Sequence, residues 1–455
     1  MKTLILAAGA GTRMYSQLPK VLHQIAGRSL LKHVYDTSCQ LIDNDIFVII
    51  GHGAEQVKQQ CAELTVTWIE QSQQLGTGHA VQQAQTYLND NEVILILYGD
   101  VPLLQIETLN QLLTEVRHNS MALLTVILED PTGYGRIVRD SERKVIKIVE
   151  QKDATVVEAR ITEVNTGILA VYACHLTKWL AQLQNQNAQG EYYLTDIIEM
   201  AVNDEIEIHT LQPKNNHEVL GVNTRKQLAD LERIYQLSQA QKLMETGGVS
   251  LADPNRIDIR GELIVEGQDI EIDVNVIFLG QNKLGHHIKI GANCIIKDSM
   301  IEDGVEILPN SIIENAKIGQ ECRIGPFARI RPETELAHQV HIGNFVEIKK
   351  SNIAAFTKIN HLSYIGDSII GQQVNIGAGT ITCNYDGINK FQTIIEDGAF
   401  IGSDSQLIAP VIIGKNATIG AGSTISQNAP AEQLTLARSK QTSIGNWQRP
   451  IKKNN

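Results

Sequence analysis

From residue 318 to residue 348 the chain repeats with a period of six. Apolar side chains return at Ile318, Ile324, Ile330, Leu336, Ile342 and Ile348, and the ladder resumes at Ile401, Leu407, Ile413, Ile419 and Ile425. An α-helix repeats every ~3.6 residues and a lone strand every ~2, so neither accounts for the pattern. A sustained hexad specifies a solenoid. Each six-residue unit forms one short side of a parallel β-helical coil, and the ladder residues point into a core that only neighbouring coils can cover. Gly319, Gly325, Gly343, Gly402, Gly414 and Gly420 directly follow ladder residues, where a tight corner favours a residue without Cβ.

Arg331 and Lys349 occupy the phase that is usually glycine and lie 18 residues apart. That separation is one full turn of a three-sided coil, so the two cations should stack. Strands in adjacent coils sit about 4.8 Å apart, and cations at that spacing repel unless an anion lies between them, for which a phosphate is suited. The alternative is that both side chains point into solvent. Between Ile376 and Ile401 the gap is 25 residues, longer than one coil by seven, so residues 384–390 should protrude as a loop. Insertions in solenoids gather on the functional face. His361, Tyr364 and Asn375 lie just upstream, and Glu347 precedes Lys349. A histidine in a β-rich segment is often structural; this one sits among polar and aromatic residues near the stacked cations, which makes it a candidate functional group.

The remainder of the 455 residues is too long to join a single core, so a second domain is expected. Net charge of -12 and 5% aromatics argue against a nucleic-acid partner and against a basic membrane-surface helix. The six cysteines form no CxxC pair and read as reduced thiols without a zinc site. The first strand begins almost at Met1, and no apolar run approaches the ~18 residues of a membrane span, so a cytoplasmic protein is expected. Residues 3–8 form an apolar strand running into Gly9-Ala10-Gly11-Thr12-Arg13, with Pro19-Lys20 beyond. A glycine-rich turn between strand and helix exposes N–H groups able to cradle phosphate, with Arg13 and Lys20 to neutralise it; a purely structural turn is the alternative. Residues 46–50, 66–69 and 93–97 read as further buried strands, and 30–41 and 106–117 as helices, implying a parallel sheet. At the end of the strand 93–97 stands Tyr98-Gly99-Asp100, where open α/β sheets bind ligands. Asp100 is suited to holding Mg²⁺ with nucleotide phosphates completing the shell, or else caps the following segment.

Leu6-Ala7-Ala8-Gly9-Ala10-Gly11-Thr12-Arg13-Met14 with Pro19-Lys20 resembles the signature of nucleotidyltransferases that make nucleoside-diphosphate sugars. The agreement continues through Gly76-Thr77, Tyr98-Gly99-Asp100, Gly133-Tyr134-Gly135-Arg136, Glu150, Asn165-Thr166-Gly167 and Gly221-Val222-Asn223. With the solenoid behind it, the chain is similar end to end to the bacterial bifunctional UDP-N-acetylglucosamine pyrophosphorylase/glucosamine-1-phosphate N-acetyltransferases. For the front half the resemblance implies that Leu6, Ala7, Ala8, Gly9, Gln71, Gly76, Thr77, Tyr98 and Gly99 hold the uridine nucleotide. Lys20 and Arg13 would meet its phosphates, Asp100 and Asn223 would bind Mg²⁺, and Gly135, Glu150 and Asn165 would contact the amino sugar. For the rear half it implies a left-handed β-helix acetyltransferase in which His361 is the general base and Glu347 orients it. Arg331, Lys349, Tyr364, Asn375 and Lys390 would contact the sugar phosphate, and Ala378, Asn384, Tyr385, Ser403, Ala421 and Arg438 would bind acetyl-CoA. Homotrimers with acetyl-CoA sites between subunits are implied as well. The polar tail from Arg438 to Asn455 has little apolar content; it would be loose in a monomer and could fold over a neighbouring coil.

Residues 226–246 lack Gly and Pro and carry Leu228, Leu231, Ile234, Tyr235 and Leu237 at helical spacing. They should form one connecting helix of about 30 Å, ended by Gly247-Gly248. The expected organisation is a uridylyltransferase domain over 1–225, the helix, and an acetyltransferase solenoid over 247–455, with an intermediate that diffuses between two sites. The substrates expected are glucosamine 1-phosphate, acetyl-CoA, N-acetylglucosamine 1-phosphate and UTP. Two rival readings stay open: a solenoid that only regulates or trimerises a nucleotidyltransferase, and a non-enzymatic scaffold carrying a nucleotide sensor.

Overall fold

The apolar runs of the front half become sheet interior. The computed structural model describes residues 1–452, in two units, residues 1–236 and residues 237 onward. In the first, strands run in the spatial order Glu207–Leu211, Ser120–Ile127, Glu163–Tyr172, Val93–Tyr98, Lys2–Ala7, Asp45–Ile50, Thr67–Glu70. Alternate residues feed two cores, Ile5, Val48 and Leu97 on one face, Leu4, Ile49 and Ile96 on the other. Burial on both faces is why these segments are continuously apolar.

The sheet is not wholly parallel. Glu163–Tyr172 pairs antiparallel with both of its neighbours, because no crossover α-helix separates it from Ser120–Ile127. The intervening chain instead builds a hairpin arm, Arg136–Arg139 with Val145–Val149. The chain therefore re-enters the sheet from the edge at which it left, and antiparallel pairing follows. The ends of Lys2–Ala7 and Val93–Tyr98 lie side by side through the pairing of Leu6 with Tyr98, which sets the glycine-rich loop beside Gly99-Asp100.

The second unit is a parallel β-helix. An 11-stranded and a 17-stranded sheet stack coil upon coil, and Ile313, Ile330, Ile348 and Ile365 lie one above another. The period is looser than a strict six: Ile330 to Ile348 spans 18 residues but Ile348 to Ile365 spans 17, since some corners use one residue fewer. Ile376 pairs with Ile401, so the surplus of that 25-residue interval is the protruding insert.

The glycines after ladder residues owe their identity to close approach rather than to corner geometry. A Cβ on Gly343 would lie 1.9 Å from the carbonyl oxygen of Asn360 in the next coil. Only Gly325 among those six has a positive φ. The left-handed corners are taken instead by residues such as Asn310, Phe327, Phe345 and Leu362, and the rings of Phe327 and Phe345 stack at 5.3 Å.

The helix Arg225–Thr246 crosses the boundary between the units. Leu231 is buried with Met14 and Ile25 of the first, and Ala240 is buried in the solenoid cluster. All six cysteines are free thiols, and no helix among the described residues is long and apolar enough to cross a membrane.

Candidate active sites

In the first unit, three segments far apart in sequence meet at the strand ends. Asp100 is buried at 8% exposure, directly after the strand Val93–Tyr98. The loop that carries Asn223 docks on it, Val222 N–H donating to the Asp100 carbonyl at 2.9 Å. Lys20 stands on a short turn after Pro19, and Gly11, at φ 62°, lets the glycine-rich loop close over it: a Cβ there would fall 2.7 Å from the Lys20 Cβ. The Lys20 ammonium donates to Asp100 Oδ2 and, at 3.1 Å, to Asn223 Oδ1. The lysine expected on the phosphates thus holds both of the expected metal ligands. Arg13 is exposed, and its charge acts on the Tyr134 phenol, which also feels Asp100.

The donor set suits Mg²⁺. Two hard oxygens, one carboxylate and one amide, converge on the point held by the ammonium, and no group of three or more His, Cys, Asp or Glu side chains among the described residues could hold an ion without help. A cation that keeps phosphate oxygens and water in its shell fits such a sparse site.

Beside it the residues expected on base and sugar are linked to one another. Gln71 is buried, and its amide N–H groups donate to the Gly76 carbonyl at 3.1 Å and reach His79 Nδ1 at 2.9 Å. Thr77 Oγ1 accepts from Leu194 N–H and bonds the Tyr98 phenol, which burial and the charges of Glu150 and Asp100 keep protonated. A Cβ on Gly167 would lie 2.3 Å from the Tyr98 ring. Asn165 joins this neighbourhood through its N–H to the Gly135 carbonyl at 2.9 Å and its Oδ1, which accepts from Gly167 N–H. Burial raises the pKa of the Glu150 carboxyl, opposed by the Thr195 hydroxyl donating at 3.0 Å. Leu6, Ala7 and Ala8 are buried beneath the loop, and Gly99 N–H donates to Leu6 O. A Cβ on Gly9 would meet open space.

The solenoid gathers its candidates by coil stacking. Arg331 N–H donates to the Ile348 carbonyl at 2.8 Å, so Arg331 and Lys349 are neighbours in successive coils. Lys390 arrives from the insert. Its ammonium beside Lys349, then burial, then the Arg331 guanidinium depress the Lys349 pKa below the usual lysine range, with Asp367 opposing them. Three cations therefore face one space. Next to them Tyr364 Oη and Asn384 Nδ2 lie over Gly366, where a Cβ would come within 2.5 Å and 2.9 Å of them. Gly366 pairs with Lys349, and only a glycine leaves that space open.

Two of the expected residues stand apart from the groups they are expected to serve. The Glu347 carboxylate pairs with Arg331 at 2.6 Å rather than with His361, because two residues along a strand from Lys349 the side chain faces the stacked cations. The imidazole is held instead by Asn344, one coil below and in register with it, whose Oδ1 accepts from Nδ1–H at 3.0 Å. That contact leaves Nε2 as the free nitrogen. Asn375 lies away from the three cations, on the other sheet, in the column of His341 and Lys358 beside a groove lined by Phe356 and Gln373. Asn344, Asp367 and Thr195 were missed by sequence reasoning; the first was findable, since it sits 17 residues before His361, one short coil.

The residues expected to hold acetyl-CoA form a column. Asp404 N–H donates to the Ala378 carbonyl, Gly422 N–H to that of Ser403, and the Arg438 guanidinium to that of Ala421 at 2.7 Å. Gly379 N–H donates to the His361 carbonyl, which puts the histidine's coil directly below the column. Asn384 is buried at the root of the insert and Tyr385 is exposed on it.

Residues 3–203 match the family described as MobA-like NTP transferase domain. Residues 298–332 and 392–427 match the bacterial transferase hexapeptide family. Three curated relatives carry the name "Bifunctional protein GlmU". That of Methylococcus capsulatus is 58% identical over 99% of this chain and 97% of its own length. Those of Azoarcus sp. and Cupriavidus pinatubonensis are each 55% identical, covering 99% and 100% of this chain and 100% and 99% of theirs. With both halves aligned throughout to these relatives, the chain belongs to the family of bifunctional GlmU proteins.

Proposed function

We propose that the two units perform successive group transfers on one hexosamine phosphate. The solenoid acetylates glucosamine 1-phosphate with acetyl-CoA, and the front domain transfers UMP from UTP to the product, giving UDP-N-acetylglucosamine and pyrophosphate for cell-envelope precursors. The observation that carries this reading is the stacking of Arg331 and Lys349 in successive coils, with Lys390 of the insert beside Lys349, because cations so placed, only one of them paired to a carboxylate among the described residues, suit a multiply charged anion.

In the solenoid, His361 Nε2 takes a proton from the sugar's 2-amine as that nitrogen forms a bond to the thioester carbonyl carbon. The C–S bond then breaks, and coenzyme A leaves as the thiol once its sulfur is protonated. Asn344 fixes the tautomer. In the front domain a sugar-phosphate oxygen attacks the α-phosphorus of UTP in line while the bond to the β-phosphate breaks. That oxygen is already ionised, so the protein supplies position and charge rather than a base. Asp100 and Asn223 would hold Mg²⁺, which neutralises charge developing on the phosphates. Lys20, displaced from them, would turn to the triphosphate beside Arg13, with Gln71, Gly76 and Thr77 on the base and Gly135, Glu150 and Asn165 on the sugar.

The reading includes a homotrimer with sites between subunits. Asn375 lies on the sheet that also carries His361, while Lys349 and Tyr364 lie on the other. The use of UTP and acetyl-CoA would suit a cytoplasmic enzyme. One assay tests the whole reading: acetyl-CoA, glucosamine 1-phosphate, UTP and Mg²⁺ are supplied, and thiol and pyrophosphate are followed separately. Both should appear, thiol first. Pyrophosphate without thiol would reduce the solenoid to an accessory module.

A further inference from the structure

The insert rests on a residue to which none of the roles above is assigned. Asp367 Oδ2 accepts from Asn384 Nδ2, at one end of the insert's neck. Its backbone carbonyl accepts from Thr393 N–H at 3.2 Å, at the other end, and its own N–H donates to the Lys349 carbonyl at 3.1 Å. Its φ of 47° lies in the left-handed region. Above it the neck is closed by Phe391 N–H donating to the Asn384 carbonyl at 2.8 Å and by an antiparallel bridge between Tyr385 and Lys390. Asp386 folds the tip, its Oδ1 accepting from the N–H groups of Ile388 and Asn389. Through these contacts the backbone of Lys390 is fixed with respect to Lys349. The arrangement works against charge, since two ammonium groups with a guanidinium behind them repel. A hairpin anchored only at its own base would swing its lysine out to water.

We propose that Asp367 is a positioning residue of the acetyl-transfer site: its carboxylate clamps Asn384 and so holds the insert with Lys390 facing Lys349 before the sugar phosphate arrives. The substrate then need not order the insert, and the affinity lost to ordering is spared. This rests on the reading of the cation cluster as the sugar-phosphate site.

In the full-length protein, Asp367→Ala should raise KM for glucosamine 1-phosphate about tenfold or more, the scale of a lost hydrogen bond to a charged group. Its kcat should change by less than about twofold, since no reacting atom is touched. Asp367→Asn keeps an acceptor for Asn384 and should restore most of the KM. An unchanged KM in the alanine variant, or an asparagine variant as impaired as the alanine one, overturns the proposal. Should Asp367→Ala fail to fold, hydrogen exchange on the unaltered protein decides. The Phe391 and Thr393 amides should be protected without substrate; exchange as fast as at Gly387 overturns the clamp. Failure of the underlying reading has a different signature: Arg331→Ala and Lys349→Ala would then leave that KM unchanged.

Discussion

The front domain and the solenoid assemble anion-directed clusters by opposite routes. In the front domain, Lys20 meets Asp100 across 80 residues and Asn223 across 203, and those separations carry no meaning until the sheet topology is known. In the solenoid, Asn344 meets His361 across 17 residues and Arg331 meets Glu347 across 16, so neighbours are found by counting coils. A twisted sheet makes a site by where its strands end, whereas a solenoid makes one by stacking. The first can place any residue types together; the second can place only what recurs once per turn, and needs an insert to bring in a third cation.

Single substitutions can break or sharpen this contrast. His361→Ala should lower thiol release about 10²–10⁴-fold, the range for loss of a general base, while pyrophosphate release from N-acetylglucosamine 1-phosphate persists. Asp100→Ala should do the reverse, lowering pyrophosphate release about 10²–10³-fold, the scale of a removed transition-state electrostatic contact, with thiol release intact. A folded variant of either kind that silenced both activities would refute the independence of the two sites.

Smaller effects probe individual contacts. Asn344→Ala should reduce kcat for acetyl transfer about fivefold to tenfold, as expected for one neutral hydrogen bond that sets a tautomer. If Glu347→Gln had that effect and Asn344→Ala did not, the orienting role would return to Glu347. The smallest change concerns stability. Burial, with Glu150, Glu199 and Asp153 adding like charge, pushes Asp196 up to about 6. A carboxyl whose pKa is raised on folding binds its proton more tightly in the folded state, so the front domain gains stability as pH falls through 6 and carries the cost of the ionised group above it. Asp196→Asn should therefore raise the melting temperature by about 2 °C at pH 8, with no gain at pH 4. Tryptophan fluorescence can follow it, since Trp68 and Trp179 both lie in that domain.

How much was legible beforehand follows the same division. The six-residue ladder disclosed the solenoid, the stacked cations and the insert, because periodicity is a local property of sequence. It missed the 17-residue coils and gave the wrong reason for the glycines, since neither corner length nor the approach of the next coil's carbonyl is written in hydropathy. In the front domain the buried strands and their parallel pairing were readable from apolar runs, but the antiparallel strand among them was not. Glu163–Tyr172 reverses because of what the preceding segment lacks, a crossover helix. The place of Glu347 came from the resemblance, and coil stacking instead sets its carboxylate against Arg331 and brings Asn344 to the imidazole.

The coil-on-coil arrangement has a thermal corollary. Each rung is covered only by the rungs above and below it, and the last described strand, Leu434–Thr435, has its leucine 64% exposed. Melting in such a stack begins where one side is bare and travels like an opening zipper. Ala378, Ser403 and Ala421 occupy turns near that end, so if they hold the acyl donor as proposed, gentle warming should weaken acetyl transfer before uridylyl transfer.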